Sequence, residues 1–167
     1  YRPGFVSPEG RRFDFVSGRI DTRDNFDFLY GSAAARIKLP PGPGLWPAFW
    51  MMPQDDVYGG WAASGEIDIM EMIVCDPALV HGTIQYGNPK GDQTYSYFLP
   101  TLETFDQDFH VFALEWEPGE FRWYVDDELY HQTSQWYTSD PDAPEGAPFD
   151  QSFYWILNVA VGGNWPG

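Results

Sequence analysis

Apolar and polar residues alternate in short runs along most of the chain. Residues 79–86, Leu-Val-His-Gly-Thr-Ile-Gln-Tyr, place His81, Thr83 and Gln85 on one face and Val80, Gly82, Ile84 and Tyr86 on the other. That period of two marks a strand with one wet and one dry side. The same reading predicts strands over residues 16–22, 28–39, 48–52, 94–99, 109–117, 120–125, 128–132 and 153–161. Arg23-Asp24-Asn25, Pro118-Gly119 and Asp126-Asp127 read as tight connections between them. Residues 1–14, rich in Gly, Pro and Arg, read as an extended lead-in, and 40–47, 54–64, 87–93, 135–151 and 162–167 as loops. No stretch carries the period of a long helix, and no internal repeat or low-complexity tract interrupts the series. The pattern predicts an all-β sandwich of antiparallel sheets, in a single domain spanning residues 1–167.

One stretch departs from simple alternation. Gly65-Glu66-Ile67-Asp68-Ile69-Met70-Glu71-Met72 sets three carboxylates inside an apolar run. In a strand, Glu66 and Asp68 share a face opposite Ile67 and Ile69, and Glu71 falls on the wrong side. One extra residue, a β-bulge at the Ile69–Met70 step, restores the parity and aims all three acids the same way. Bulges re-aim side chains beside active sites. Cleavage of a glycosidic bond with retention needs two carboxyl groups about 5–5.5 Å apart, one as nucleophile and one as acid/base. Repulsion among the acids would push one pKa upward, leaving Glu71 protonated while Glu66 is ionised, and a hydrogen bond from Asp68 would orient Glu66. The other readings of the same acids are a calcium site and an acidic edge strand.

Composition narrows the class of partner. The 167 residues hold 9 Lys and Arg against 25 Asp and Glu, a formal net charge of −16. That balance disfavours nucleic acid and anionic membrane surfaces, both of which are bound through Lys and Arg. A neutral polysaccharide is compatible with it. Aromatic residues make up 19% of the chain, material for a core and for sugar-stacking surfaces as well. Cys75 is the only cysteine, so no disulfide forms within the chain.

The acid-bearing run resembles the bulged active-site strand of glycoside hydrolase family 16 in its laminarinase-like form. The similarity continues through Ser17-Gly18-Arg19-Ile20-Asp21-Thr22, Ala35-Arg36-Ile37-Lys38-Leu39-Pro40 and Gly44-Leu45-Trp46-Pro47-Ala48-Phe49-Trp50-Met51. It goes on in His81-Gly82-Thr83-Ile84, Ala113-Leu114-Glu115-Trp116-Glu117-Pro118-Gly119 and Gly162-Gly163-Asn164-Trp165-Pro166-Gly167. The resemblance implies a β-jelly roll of two antiparallel sheets with a concave substrate cleft. It implies retaining endo-hydrolysis of a β-1,3-glucan, with Glu66 as nucleophile, Asp68 as assisting acid and Glu71 as acid/base. No cofactor is required by that chemistry; some relatives carry a structural calcium, for which no ligand set is identified here. The expected enzyme is monomeric and secreted. Set against the family pattern, the chain is expected to lack the opening strands and the strand after Gly167. The alternatives are hydrolysis of mixed-linkage β-glucan or a galactan, and a non-catalytic glucan-binding protein on the same scaffold.

Candidate sugar-binding residues lie in the loops and wet faces around the acidic strand. Trp46 and Trp61 read as loop residues flanking it, either platforms for pyranose rings or loop anchors. His81 would contact the acid/base or the leaving sugar unless it is structural. Gln85 stands where the family often has a second His and keeps hydrogen bonding without titrating. Arg36 shares a face with Ala34 and Lys38 and is either a partner for acids or a substrate ligand. The resemblance implies a cleft-facing Glu at the position of Ala34. Asn158 interrupts an apolar strand, as a hydrogen-bond hub or as a sugar ligand. Trp116, Asn164 and Trp165 complete the expected set, and Trp50, within a strand, reads as core.

Overall fold

The computed structural model describes residues 2–100 and 102–166. Tyr1, Thr101 and Gly167 lie outside the described residues, and with them the first residue of the expected lead-in and the last of the closing loop. The described elements are all strands: β1 (Phe5–Val6), β2 (Arg12–Phe13), β3 (Arg19–Asp21), β4 (Asp27–Phe28), β5 (Gly31–Ile37), β6 (Leu45–Pro53), β7 (Glu66–Glu71), β8 (Leu79–Tyr86), β9 (Gly91–Phe98), β10 (His110–Glu117), β11 (Glu120–Val125), β12 (Glu128–Thr133) and β13 (Phe153–Val161). They form a four-stranded sheet in the order β12-β11-β10-β5 and a seven-stranded sheet, β3-β13-β6-β7-β8-β9 with β4 beside β13. A small hairpin joins β1 to β2. The fold is the all-β, two-sheet jelly roll expected, and β7 sits near the middle of the larger sheet.

Alternation decides what lies between the sheets. Ile67, Ile69 and Met70 of β7, Val80 and Ile84 of β8, and Phe153 and Ile156 of β13 are buried against Phe112, Leu114, Trp116, Phe121 and Trp123 of the smaller sheet. The odd-numbered positions of β8 are left for the cleft face.

Several boundaries differ from the sequence reading, and β3 is shorter than expected, Arg19–Asp21 instead of 16–22. The expected strand 28–39 breaks at Tyr30 and Gly31, with φ of 61° and 130°. Its first piece pairs with β13 and its second with β10, so the chain crosses there from one sheet to the other. The lead-in contains the β1–β2 hairpin rather than loop alone. Strand β6 begins at Leu45, ahead of Pro47, which places Trp46 in a strand. Proline is tolerated there because its carbonyl still accepts from the Met72 amide at 3.1 Å, and its missing N–H faces the point where β7 ends. Strand β9 begins at Gly91, earlier than the expected residue 94.

Gly82 leaves room for side chains of the facing sheet. A Cβ there would stand 2.5 Å from Trp123 Cδ1 and 2.5 Å from the Tyr130 hydroxyl. Trp123, fully buried on β11, uses this space to cross the core and donate its indole N–H to the Asp68 carbonyl at 2.9 Å. That carbonyl lies where the β7–β8 ladder shifts register, so the bond satisfies backbone beside the irregularity. Gly82→Ala is expected to push Trp123 off this contact and to destabilise the protein by about 1–3 kcal/mol, the range for overpacking a tight core. The midpoint of urea unfolding measures it; an unchanged midpoint would show that the two sheets separate without cost.

Candidate active site

The bulge falls where the parity argument places it. Phe49 pairs with Met70 and Trp50 with Asp68, so Ile69 has no partner of its own on β6. On the other side Asp68 pairs with Thr83 and Glu71 with His81. Ile69 and Met70 are both buried, and Glu66, Asp68 and Glu71 all turn to the opposite face. They line one pocket of about 170 Å³ with Trp46, Ala48, Trp50, Asn158 and Ala160. A larger hollow of about 360 Å³, lined by Ile20, Ile37, Leu39, Pro47, Leu157 and Val159 among others, is apolar and holds no acid. The chemistry belongs to the smaller one.

Each glutamate is held by an indole. Trp46 Nε1 donates to Glu71 Oε1 at 3.0 Å, and Trp61 Nε1 to Glu66 Oε2 at 2.5 Å. The second oxygen of Glu66 accepts from Gln85 Nε2 at 2.6 Å, and the same amide reaches Asp68 Oδ2 at 3.5 Å. Lys90 Nζ donates to Gln85 Oε1 at 2.7 Å. Trp50 Nε1 donates to Asn158 Oδ1 at 2.7 Å, which settles how Asn158 is satisfied while it faces the pocket.

Burial sets the protonation order. Removal from water, then the charge of Glu66, pushes Glu71 up to about 7, with the Trp46 N–H pulling back. Asp68, only 2% exposed, is driven well above the usual carboxylate range by burial, then by the charges of Glu71 and Glu66. Its neutral form is thereby favoured, with the proton directed to Glu66. Burial raises Glu66 as well, but the Trp61 N–H, the Lys90 charge, the Asp68 proton and the Gln85 amide all favour its ionised form. One carboxylate is thus supported as an anion and its neighbour as an acid, the pairing that bond cleavage with a departing oxygen requires. Among the described residues, no group of three or more His, Cys, Asp or Glu side chains is arranged to hold a metal ion.

The expected sugar-binding residues divide. Trp46, Trp61 and Gln85 hydrogen-bond the acids directly, and Asn158 lines the same pocket. Trp165, in the loop after β13, stands edge-on to Trp46 at 4.9 Å and beside His81 at 5.4 Å. His81, across from Glu71, is hydrogen-bonded with Ser96 at 2.8 Å, and burial lowers its pKa. Asn164 is exposed next to Trp165. Two candidates are misplaced. Trp116 is 1% exposed, packed among Phe28, Tyr30, Phe121 and Phe153, and is core because it points inward from the smaller sheet. Arg36 lies on β5 of that same sheet, exposed, with its guanidinium 4.4 Å from the Phe109 ring centre. Ala34 shares its strand and is exposed, so it marks no cleft position.

Three contributors were not expected. Trp50 faces the cleft rather than the core, since it pairs with Asp68 and shares its side. Trp123 acts from the other sheet, and only coordinates reveal such a contact. Lys90 is a cation in the turn directly after the wet-faced strand of an acid-rich chain, a signal that charge placement alone contained.

A two-sheet β-sandwich presenting two glutamates in one aromatic-lined groove, one of them with its pKa lifted to about 7, is the build of a glycoside hydrolase. The sequence model of the family Glycosyl hydrolases family 16 matches residues 11–167, and the chain belongs to that family. It is 44% identical to glucan endo-1,3-beta-glucosidase A1 of Niallia circulans, over 98% of this chain and 25% of that protein. It is 45% identical to a beta-glucanase of Rhodothermus marinus, over 95% of this chain and 56% of that one. The catalytic domain of an endo-1,3-beta-glucanase (laminarinase) from Thermotoga petrophila superposes with a TM-score of 0.86 at 38% identity, covering 99% of this chain and 66% of the other. The chain thus spans between 22% and 58% of the length of the curated relatives it matches.

Proposed function

We propose that this chain carries out retaining endo-hydrolysis of a β-1,3-glucan of the laminarin type. The observation that carries the reading is the pair Glu66 and Glu71 in one pocket, with Glu71 pushed up to about 7 and Glu66 held by four groups that favour its charge. Glu66 attacks the anomeric carbon, and the bond to the departing sugar breaks with its electrons left on oxygen. Glu71 gives that oxygen its proton. The Glu71 carboxylate then takes a proton from water, whose oxygen displaces Glu66 and releases the product. Asp68 lends its shared proton to steady Glu66 between the two steps. Trp61 on the Glu66 side, and Trp46 with Trp165 on the Glu71 side, supply aromatic faces along the groove.

An open groove supports attack within a long chain rather than at its end. The names of the relatives support the β-1,3 linkage. The chemistry uses carboxyl groups and water, so no cofactor enters it, and every residue invoked belongs to one chain, so a monomer suffices. A polysaccharide is too large to be taken up intact, which supports action outside the cell.

Incubation with laminarin tests the reading. Early products are expected to be a spread of oligosaccharides, and proton NMR is expected to show the β-anomer first. Glucose alone at early times would contradict endo action, an initial α-anomer would contradict the covalent route, and binding without release would leave a glucan-binding protein.

A further inference from the structure

The turn between β8 and β9 is built more firmly than an exposed turn needs to be. The Tyr137 hydroxyl donates to the Pro89 carbonyl at 2.6 Å, and the Tyr137 ring packs against Gly87 and Gly91 at either end of the turn. A Cβ on Gly87 would meet that ring at 2.3 Å, and one on Gly91 would meet the Tyr137 oxygen at 2.9 Å. Lys90 is the last residue of this clamped turn, so its backbone is fixed relative to the cleft.

Its ammonium faces the site. Nζ stands 2.7 Å from Gln85 Oε1, 3.4 Å from Asp92 Oδ1 and 5.4 Å from the centre of the Trp61 ring. An amide has a donor end and an acceptor end, and flipping it exchanges them. With the cation on Oε1, the donor end of Gln85 must face Glu66 and Asp68. A flipped amide would set its oxygen against Glu66 and its NH₂ against Lys90, two repulsive contacts for two attractive ones. Trp61, which donates to the other Glu66 oxygen, is drawn by the same cation through its ring. Both donors on the attacking carboxylate are therefore organised from one residue.

We propose that Lys90 is a positioning residue for the nucleophile: it locks the Gln85 amide with its donor end on Glu66 and steadies the Trp61 indole over the other oxygen. This rests on the reading of Glu66 as nucleophile. Gln85 relays the charge of Lys90 without itself titrating, unlike an imidazole at the same place. The groups that face Glu66 besides Lys90 are Asp68 and Glu71 on its own strand, His81 beyond Glu71 on β8, and Asp92 on β9. Lys90 is the lysine or arginine of this set. The competing account is an ordinary surface ion pair with Asp92, which would leave the catalytic carboxylates unmoved.

The test compares the parent with Lys90→Met and Lys90→Arg in two measurements. The first is kcat/KM on laminarin across pH. Lys90→Met is expected to lower kcat about tenfold and to shift the acid limb upward by about one pH unit, the lower end of the scale for losing a nearby opposite charge. Lys90→Arg is expected to restore the limb. The second is a carbon-13 NMR titration of the Glu66 carboxyl in protein without substrate, which needs no activity. The same upward shift in Lys90→Met and its reversal in Lys90→Arg would support the proposal even if laminarin were not cleaved, a result that would sink the glucanase reading alone. An active parent whose Glu66 titration and acid limb are unmoved by Lys90→Met would overturn the positioning role.

Discussion

Glu66→Gln is expected to reduce laminarin hydrolysis on the order of 10⁵-fold while leaving glucan binding in place. The substitution removes the atom that forms the covalent bond and keeps the volume of the side chain, and deleting a nucleophile carries losses of that order. The new amide still offers one oxygen to the Trp61 indole, but its NH₂ meets the NH₂ of Gln85 where a carboxylate had accepted. Circular dichroism and the unfolding midpoint therefore accompany the assay, so that misfolding is distinguished from lost chemistry. Reducing-sugar release within tenfold of the parent, from a folded variant, would remove Glu66 from the mechanism.

Glu71→Gln is expected to act on both rate and stability. On polysaccharide the loss of the proton donor lowers kcat by about 10²–10⁴-fold, the range for general acid catalysis. In the parent, Glu71 must be protonated to act, so kcat/KM falls as pH rises through about 7; in the variant that alkaline limb disappears. The folded protein holds the Glu71 proton more tightly than the unfolded chain does, since burial and Glu66 lift its pKa from 4.5 to about 7. Stability associated with this group is complete below about 4.5 and is lost as pH climbs to about 7. A neutral Gln avoids that loss. The variant should match the parent in urea at pH 4 and exceed it by about 2–3 kcal/mol at pH 8, the size of a shift of this order in a buried group. Identical curves at both pH values would mean that Glu71 is solvated and of ordinary acidity.

The acidic strand was legible because period and parity are local properties. Eight residues were enough to place Glu66 and Asp68 on one face and to require an extra residue at Ile69–Met70 before Glu71 could join them. The wet face of β8 was readable for the same reason. Trp116 and Arg36 were misread because alternation tells which residues share a side but not which sheet the strand joins, and both lie in the smaller sheet. The crossing at Tyr30–Gly31 was hidden in what looked like one long strand, where Gly31 was the local signal of a break. Trp50 was assigned to the core by its apolar neighbours, although the shift between Phe49 and Trp50 in the β6–β7 ladder aligns it with the acids. The Trp123 contact was illegible in principle: it joins residues 55 positions apart across two layers.

That contact also has a bearing on how enzymes of this build can be altered. The indole of Trp123 ties the rear layer of the sandwich to the main chain from which the reactive acids project, through a gap that exists because residue 82 lacks a side chain. Heat resistance and turnover are consequently not independent dials. A substitution that repacks the interior around Trp123 also bears on the backbone of Asp68, between the two glutamates.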